Sequence, residues 1–224
     1  NEANQNIDWA VWTWNPVAGC LHNCGYCYAR DIANRFYPQK FTPALMPHRL
    51  TAPANTKIPE RLTEHPRKKN VFVCSMADLF GKWVPEKWIL RVLKEVENNP
   101  QWNFLFLTKF PRRLAEFSYP KNAWIGTSVD SQKRVKAAER AFQNVKGASV
   151  KWLSVEPLLE PLKFERLELW NWLVIGGASK SSKTPAFYPP LSWVADLEKD
   201  AHQRGLIVYR KDNLFEPKKG VPNG

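Results

Sequence analysis

Cysteine, methionine and long hydrophobic runs are scarce in this chain. It has four cysteines and two methionines among 224 residues. So few cysteines do not make the disulfide framework of a small secreted protein, and we expect a reducing, cytoplasmic setting. No run approaches the roughly 20 apolar residues that a membrane-spanning helix needs. The chain also lacks an H-E-x-x-H sequence, a phosphate-loop motif and a Ser-His-Asp arrangement, so these catalytic centres have no support.

Acidic residues are few as well. There are 21 Asp and Glu against 33 Lys and Arg, which gives a net charge of +12. This charge favours an anionic partner such as a nucleic acid, although a solvated basic surface explains it equally well. The hydrophobic fraction of 44% is enough for a globular core, and the length fits a single domain over residues 1–224. The four histidines, which are scattered, are expected at the surface or at helix caps: His22, His48, His65 and His202.

Three of the four cysteines form the motif C-x3-C-x2-C, at Cys20, Cys24 and Cys27. Three thiolates can hold three irons of a [4Fe-4S] cluster and leave the fourth iron open, since complete cages normally supply four cysteines. A zinc site is the alternative, and it would need a fourth ligand such as Cys74 or His22. No second C-x2-C exists, and Cys74 ends the apolar run Val71–Cys74, which is typical of a buried small side chain.

Short β-branched and aromatic runs alternate with helical periodicity, a pattern that predicts βα units around a parallel sheet. The predicted strands are Val11–Trp14, Val71–Ser75, Asn103–Thr108, Ala123–Ser128, Val150–Val155, Trp172–Ile175 and Leu206–Arg210. The predicted helices are Tyr28–Phe36, Pro85–Asn98, Ser131–Asn144 and Leu191–Arg204. The proline-rich stretch Pro38–Pro66 has little periodicity, so we expect an irregular excursion that covers a site.

Polar residues and glycines follow several of the predicted strands. In parallel βα folds the carboxyl ends of the strands gather at one rim, where ligands bind. Glu156 lies between Val155 and Pro157, where packing does not explain a carboxylate. Its position therefore indicates contact with a ligand or with a charge partner. The residues expected at this rim are Ser75, Asp78, Lys109, Ser128, Asp130, Glu156, Gly176 and Gly177.

The cysteine motif, with the aromatic Tyr26 directly before its last cysteine, resembles the signature of the radical S-adenosylmethionine (SAM) superfamily. Further matches along the chain resemble a phage-associated, uncharacterised subgroup of it. These matches are Ile7-Asp8-Trp9, Trp14-Asn15-Pro16, Gly19-Cys20, Cys27-Tyr28-Ala29, Ser75-Met76, Asp78-Leu79-Phe80, Leu107-Thr108-Lys109, Trp124-Ile125-Gly126, Ser128-Val129, Ser154 to Leu159 and Val174 to Gly177.

The resemblance implies an α/β fold, a partial (β/α)6 TIM-like barrel with a [4Fe-4S] cluster held by the three cysteines. It implies that SAM lies across the strand ends and is cleaved reductively to a 5'-deoxyadenosyl radical that abstracts hydrogen from a substrate. A flavodoxin- or ferredoxin-like protein would supply the electron. Tyr26 would lie near the adenine of SAM.

The other SAM contacts follow from the same resemblance. Asp78 or Ser75 would bind the SAM amino group, and Lys109 would pair with its carboxylate. Ser128 and Asp130 would bind the ribose hydroxyls. Gly176 and Gly177 would let the backbone approach the ligand closely.

The chain departs from the subgroup at three places. Ala178 and Asp130 stand where the subgroup commonly has glutamate, and Tyr209-Arg210-Lys211-Asp212 replaces an aromatic-Lys-Gln sequence. We expect these changes to affect the choice of substrate or a contact with SAM. They leave the cluster motif intact. The basic charge favours a nucleobase, a nucleotide or a nucleic acid as substrate, against a peptide or small metabolite. A zinc- or cluster-stabilised nucleic-acid-binding module without catalysis is the remaining alternative, and it predicts a fourth protein ligand and no SAM affinity.

Overall fold

The structure is a computed structural model that describes residues 2, 7 and 9–215. Its strands are β1 (Trp12–Trp14), β2 (Val17–Ala18), β3 (Ala44–Leu45), β4 (Asn70–Val73), β5 (Asn103–Thr108), β6 (Ala123–Ser128), β7 (Val150–Val155), β8 (Trp172–Ile175) and β9 (Ile207–Arg210). Its α-helices are α1 (Tyr28–Phe36), α2 (Ala52–Asn55), α3 (Glu86–Glu97), α4 (Gln132–Phe142) and α5 (Leu191–Gln203).

Seven strands form one parallel sheet in the order β1-β4-β5-β6-β7-β8-β9, and β2 pairs with β3 in a small antiparallel ribbon. Each strand of the large sheet therefore lies beside the next one along the chain, as in a barrel. The expected α/β class and partial TIM-like barrel of radical SAM type are confirmed, with seven parallel strands in the sheet. The links from β5 to β6 and from β7 to β8 carry short 3-10 turns, Pro111–Glu116 and Leu167–Leu169.

The sequence predicts four of the seven strands to the residue, because their buried runs are bounded by polar or turn residues. Strand β4 ends at Val73, two residues earlier than expected. The reason is Cys74, whose φ of +60° turns the chain out of the extended conformation. Helix α3 starts at Glu86, so Pro85 is its cap residue and not its first helical residue.

The inner face of the sheet carries an aromatic floor, formed by Trp9, Phe72, Trp124, Trp152 and Trp172. The ring centre of Trp9 lies 4.6 Å from that of Phe72 and 5.0 Å from that of Trp152, both edge-on. Trp152 stacks on Trp172 at 5.1 Å. Gly126 makes room for this layer, since a Cβ there would lie 2.4 Å from Trp152 Cε2. The floor closes the interior below the carboxyl ends of the strands.

The stretch Pro38–Pro66 contains β3, α2 and two 3-10 turns. It packs on the cysteine segment, because Cys20 N donates to Phe41 O at 3.1 Å and a Cβ on Gly19 would meet Thr42 O at 2.2 Å. Gly19 also has φ +88°, so both its backbone conformation and the lack of space for a Cβ require glycine there. Among the described residues no helix is long and apolar enough to cross a membrane.

Candidate active site

A cavity of about 280 Å³ opens at the carboxyl ends of the strands. Ten of the twelve residues that the sequence predicts for the site line it, namely Cys20, Cys24, Tyr26, Cys27, Ser75, Asp78, Lys109, Ser128, Glu156 and Gly177. The other two, Asp130 and Gly176, lie directly behind it: Asp130 accepts a hydrogen bond from Tyr26, and Gly176 precedes Gly177. Trp9 and Phe72 bring the aromatic floor into the same cavity.

The cysteines lie in the loop between β2 and α1, and Cys27 is the residue that caps α1. Arg30 holds this loop by donating to Asn23 Oδ1 and to Cys24 O, each at 2.6 Å. All three cysteines are free thiols and half-buried. Burial raises the pKa of Cys20 to about 12 and also raises the pKa of Cys27. Metal binding at this wall must therefore release protons from the thiols.

The donor set of this wall consists of three thiols. Within residues 7 and 9–215, no three side chains of His, Cys, Asp or Glu converge closely enough to hold one metal ion. A tetrahedral zinc site needs that convergence and a fourth ligand. A four-iron cube takes one thiolate per iron, so its ligands surround a larger body and stand apart. The three cysteines of this wall match such a cluster in the kind and number of their donor atoms.

Asp78 connects the cysteine loop to the ends of β4 and β5. Its Oδ2 lies 2.7 Å from His22 Nε2 and accepts a bond from Lys109 N at 2.8 Å. Its Oδ1 accepts a bond from Thr108 Oγ1 at 2.7 Å. Both oxygens are thus engaged by protein donors, which favours a positioning role for Asp78. The expectation for His22 is wrong: it is half-buried, lines the cavity and packs edge-on against Trp83.

Asp130 organises the adjacent wall. The hydroxyl of Tyr26 donates a hydrogen bond to Asp130, and Lys109 Nζ lies 3.6 Å from the same carboxylate and 5.3 Å from the Tyr26 ring centre. Arg134 Nε adds a contact of 2.9 Å to Asp130 Oδ1. Although burial raises the pKa of Asp130, the charges of Lys109 and Arg134 and the Tyr26 hydroxyl hold it below its usual value. This network fixes the ring of Tyr26 and the ammonium group of Lys109 at the cavity.

Replacing Asp130 by asparagine should lower the free energy of unfolding by about 1.5–3 kcal/mol at pH 7, because Lys109 and Arg134 lose a charged acceptor. Since the folded-state pKa is depressed, the wild-type advantage is fully present above the unfolded pKa of about 4 and is lost progressively as the pH falls from there through the folded-state pKa. Urea unfolding at pH 7 and at pH 3.5 measures both effects. Ser131→Ala, which removes only a 3.2 Å contact to Asp130, is the control. Equal stability of the Asp130→Asn and wild-type proteins at pH 7 would contradict this role.

The opposite wall holds two residues that the sequence analysis missed, Lys211 and Asn213. Lys211 is buried, with 6% of its side chain exposed, and forms an ion pair with Glu156. Asn213 Nδ2 donates to Gly177 O at 3.0 Å, and Gly177 N donates to Asn213 Oδ1 at 3.2 Å. Their position along the sequence could have identified them, because both residues follow the last predicted strand, as Glu156 follows β7.

Atoms of the protein itself pack closely against Gly176 and Gly177. A Cβ on Gly177 would lie 2.4 Å from Asn213 O, and one on Gly176 would lie 3.0 Å from Glu156 Cγ. The hydroxyl of Ser75 donates to Asn15 Oδ1 at 3.2 Å, which ties the end of β4 to the segment after β1. The packing therefore brings strand ends from both halves of the sheet around one cavity.

The partial barrel, with three cysteines on one wall of a cavity at its carboxyl rim, has the radical SAM fold. Residues 4–213 match the model of a family described as protein of unknown function (DUF5131), so the chain belongs to that family. No curated protein matches the chain.

Among solved structures, the chain is similar to spore photoproduct lyase complexed with dinucleoside spore photoproduct. The TM-score is 0.60 at 13% identity, over 94% of this chain and 79% of that one. A cysteine-to-serine mutant of spore photoproduct lyase gives the same TM-score and identity, over 94% of this chain and 80% of the other. At this identity the likeness concerns the fold.

Proposed function

We propose that this protein is a radical SAM enzyme that acts on a nucleobase, in a nucleotide or a nucleic acid. The observation that carries the proposal is the placement of Cys20, Cys24 and Cys27 on one wall of the cavity at the carboxyl rim. Each cysteine would hold one iron of a [4Fe-4S] cluster, and the fourth iron would face the cavity. When bound and reduced, the cluster supplies the electron that cleaves SAM to methionine and the 5'-deoxyadenosyl radical, which abstracts hydrogen from the substrate.

Three further observations support the substrate class. Spore photoproduct lyase, which shares the fold, is a radical SAM enzyme, and one of its structures is complexed with a dinucleoside photoproduct. The net charge of +12 favours an anionic partner. The aromatic floor offers ring faces for a planar heterocycle, because bases stack on aromatic side chains.

The residues of the cavity divide into ligand contacts and positioning residues. Tyr26, Ser75, Lys109, Ser128, Glu156 and Gly177 line the cavity and would contact SAM or substrate. Asp130 would act through Tyr26 and Lys109, and Asp78 through His22 and the cysteine loop. The floor and the stretch Pro38–Pro66 would exclude water from the site, which protects a reactive radical.

The proposal predicts that protein reconstituted anaerobically with iron and sulfide, then reduced with dithionite, forms 5'-deoxyadenosine from SAM. The measurements are the iron and sulfide content, the visible absorbance and the chromatographic yield of 5'-deoxyadenosine, with the unreconstituted protein as the control. A colourless protein that retains zinc and forms no 5'-deoxyadenosine would contradict the proposal and favour a zinc-stabilised nucleic-acid-binding module.

A further inference from the structure

Within the described part of the chain, the charged side chains that line the cavity each contact a second polar or charged side chain, with one exception. Asp78 faces His22 at 2.7 Å, and Glu156 pairs with Lys211. Lys109 lies 3.6 Å from Asp130, just behind the wall. These side chains are therefore already engaged by other groups of the protein.

The exception is Lys180, which lines the cavity and is exposed. Among the described residues, no carboxylate lies within 4.0 Å of its ammonium group. The two proposed cofactors do not supply the missing charge either. The oxidised cluster with three thiolates carries one net negative charge and SAM one net positive charge, so together they are neutral. Lys180 thus has no ion-pair partner among the described residues at the mouth of the cavity.

The segment that carries Lys180, residues 178–187, is held across the cysteine loop and is called the strap below. Its ends pair through Ala178 and Phe187, whose backbone groups exchange two bonds of 2.9 Å. Ser182 donates to Asp31 of α1 through its backbone N at 2.7 Å and its hydroxyl at 2.6 Å. Ser181 Oγ donates to Gly25 O at 3.2 Å. Lys180 therefore extends from a fixed backbone that lies next to the proposed cluster site.

The strap also offers neutral donors beside this charge. The exposed Ser179 lines the cavity next to Lys180, and its hydroxyl has no hydrogen-bond partner in the described part of the chain. An ammonium group and a hydroxyl on adjacent residues suit an oxyanion, since bonds from charged donors to phosphate are the strong ones.

We infer that Lys180 and Ser179 bind a phosphate group of the substrate, which makes the substrate a nucleotide or a nucleic-acid strand and not a free base or nucleoside. The inference rests on the proposed function, whose substrate it narrows. The phosphate would lie on the strap at the mouth, and the base would reach inward over the aromatic floor. The charge of Lys180 would then be neutralised only when substrate is bound.

The test is isothermal titration calorimetry of the reconstituted protein with SAM, using the four 2'-deoxynucleoside 5'-monophosphates and the corresponding nucleosides as probes. The phosphate should raise the affinity for at least one base by about tenfold, the size expected for a hydrogen bond to a charged group. Lys180→Met should abolish this gain. Lys199→Met is the matched control, because it removes one exposed lysine of α5 that does not line the cavity.

Several outcomes would overturn the inference: no preference for the monophosphates in the wild-type protein, an equal preference in the Lys180→Met protein, or an equal loss in the Lys199→Met protein. A separate titration with SAM alone distinguishes the phosphate of the substrate from the carboxylate of SAM. If Lys180→Met weakens SAM binding by tenfold instead, Lys180 belongs to the cofactor and the inference is wrong. Formation of 5'-deoxyadenosine without added nucleotide tests the proposed function independently of all these results.

Discussion

Protein with Cys24 replaced by alanine should hold no four-iron cluster after reconstitution and should form 5'-deoxyadenosine at least about 100-fold more slowly than the wild type. Substitutions beyond the direct ligands of a metal commonly cost 10- to 100-fold, so loss of a ligand should cost more. Two cysteines remain on the cavity wall, Cys20 and Cys27. They cannot fix the orientation of a cube that is meant to keep one iron open. Iron analysis, absorbance and product formation measure the effect.

Cys74→Ala is the matched control for this substitution. Cys74 also lines the cavity, but it lies outside the motif, at the end of β4, and it is fully buried. The proposal predicts that the Cys74→Ala protein keeps both its iron and its activity. If both variants lose their metal, four cysteines hold it, no iron is left open for SAM, and the radical SAM proposal fails. Circular dichroism of each variant verifies that it is folded.

The sequence predicts the architecture well because each strand can be recognised from its own run of apolar residues. Strand β5, Asn103–Thr108, is a continuous apolar run with polar ends, as a strand buried on both faces requires. Parallel order then brings the strand ends to one rim, so the sequence alone places Ser128 and Glu156 beside the cysteines. Periodicity and topology are sufficient for this level of description.

The sequence does not predict which side chains form hydrogen bonds with each other. Tyr26 and Asp130 are 104 positions apart, and His22 and Asp78 are 56 apart. Such pairs depend on the register and twist of several strands together, and no local pattern encodes them. The sequence therefore placed Asp130 among the residues at the rim, but it did not indicate that its carboxylate accepts a hydrogen bond from Tyr26. The role of His22 was missed for the same reason.

Local sequence patterns do not predict the aromatic floor either. Trp152 lies at its centre and should contribute most to the stability of the barrel interior. Its side chain is fully buried between Trp9 and Trp172. Within the described residues its indole nitrogen has no hydrogen-bond partner, so its contribution is mainly packing. Trp152→Ala should lower the free energy of unfolding by about 3–5 kcal/mol, the usual cost of such a cavity. Trp152→Phe, which keeps a ring in the layer, should cost clearly less in the same urea titration.

Gly126 provides an internal check on this packing. Gly126→Ala alone should destabilise the protein by about 1–3 kcal/mol, because its Cβ would lie 2.4 Å from the Trp152 ring and the core would be overpacked. In the Trp152→Ala background the new methyl group enters vacated space, so the same substitution should cost nothing or stabilise. The double-mutant cycle should therefore show a coupling of more than about 1 kcal/mol. Additive effects would mean that Trp152 does not lie against Gly126. The floor would then not support Ser154 of β7 and Glu156 directly after it, which line the cavity.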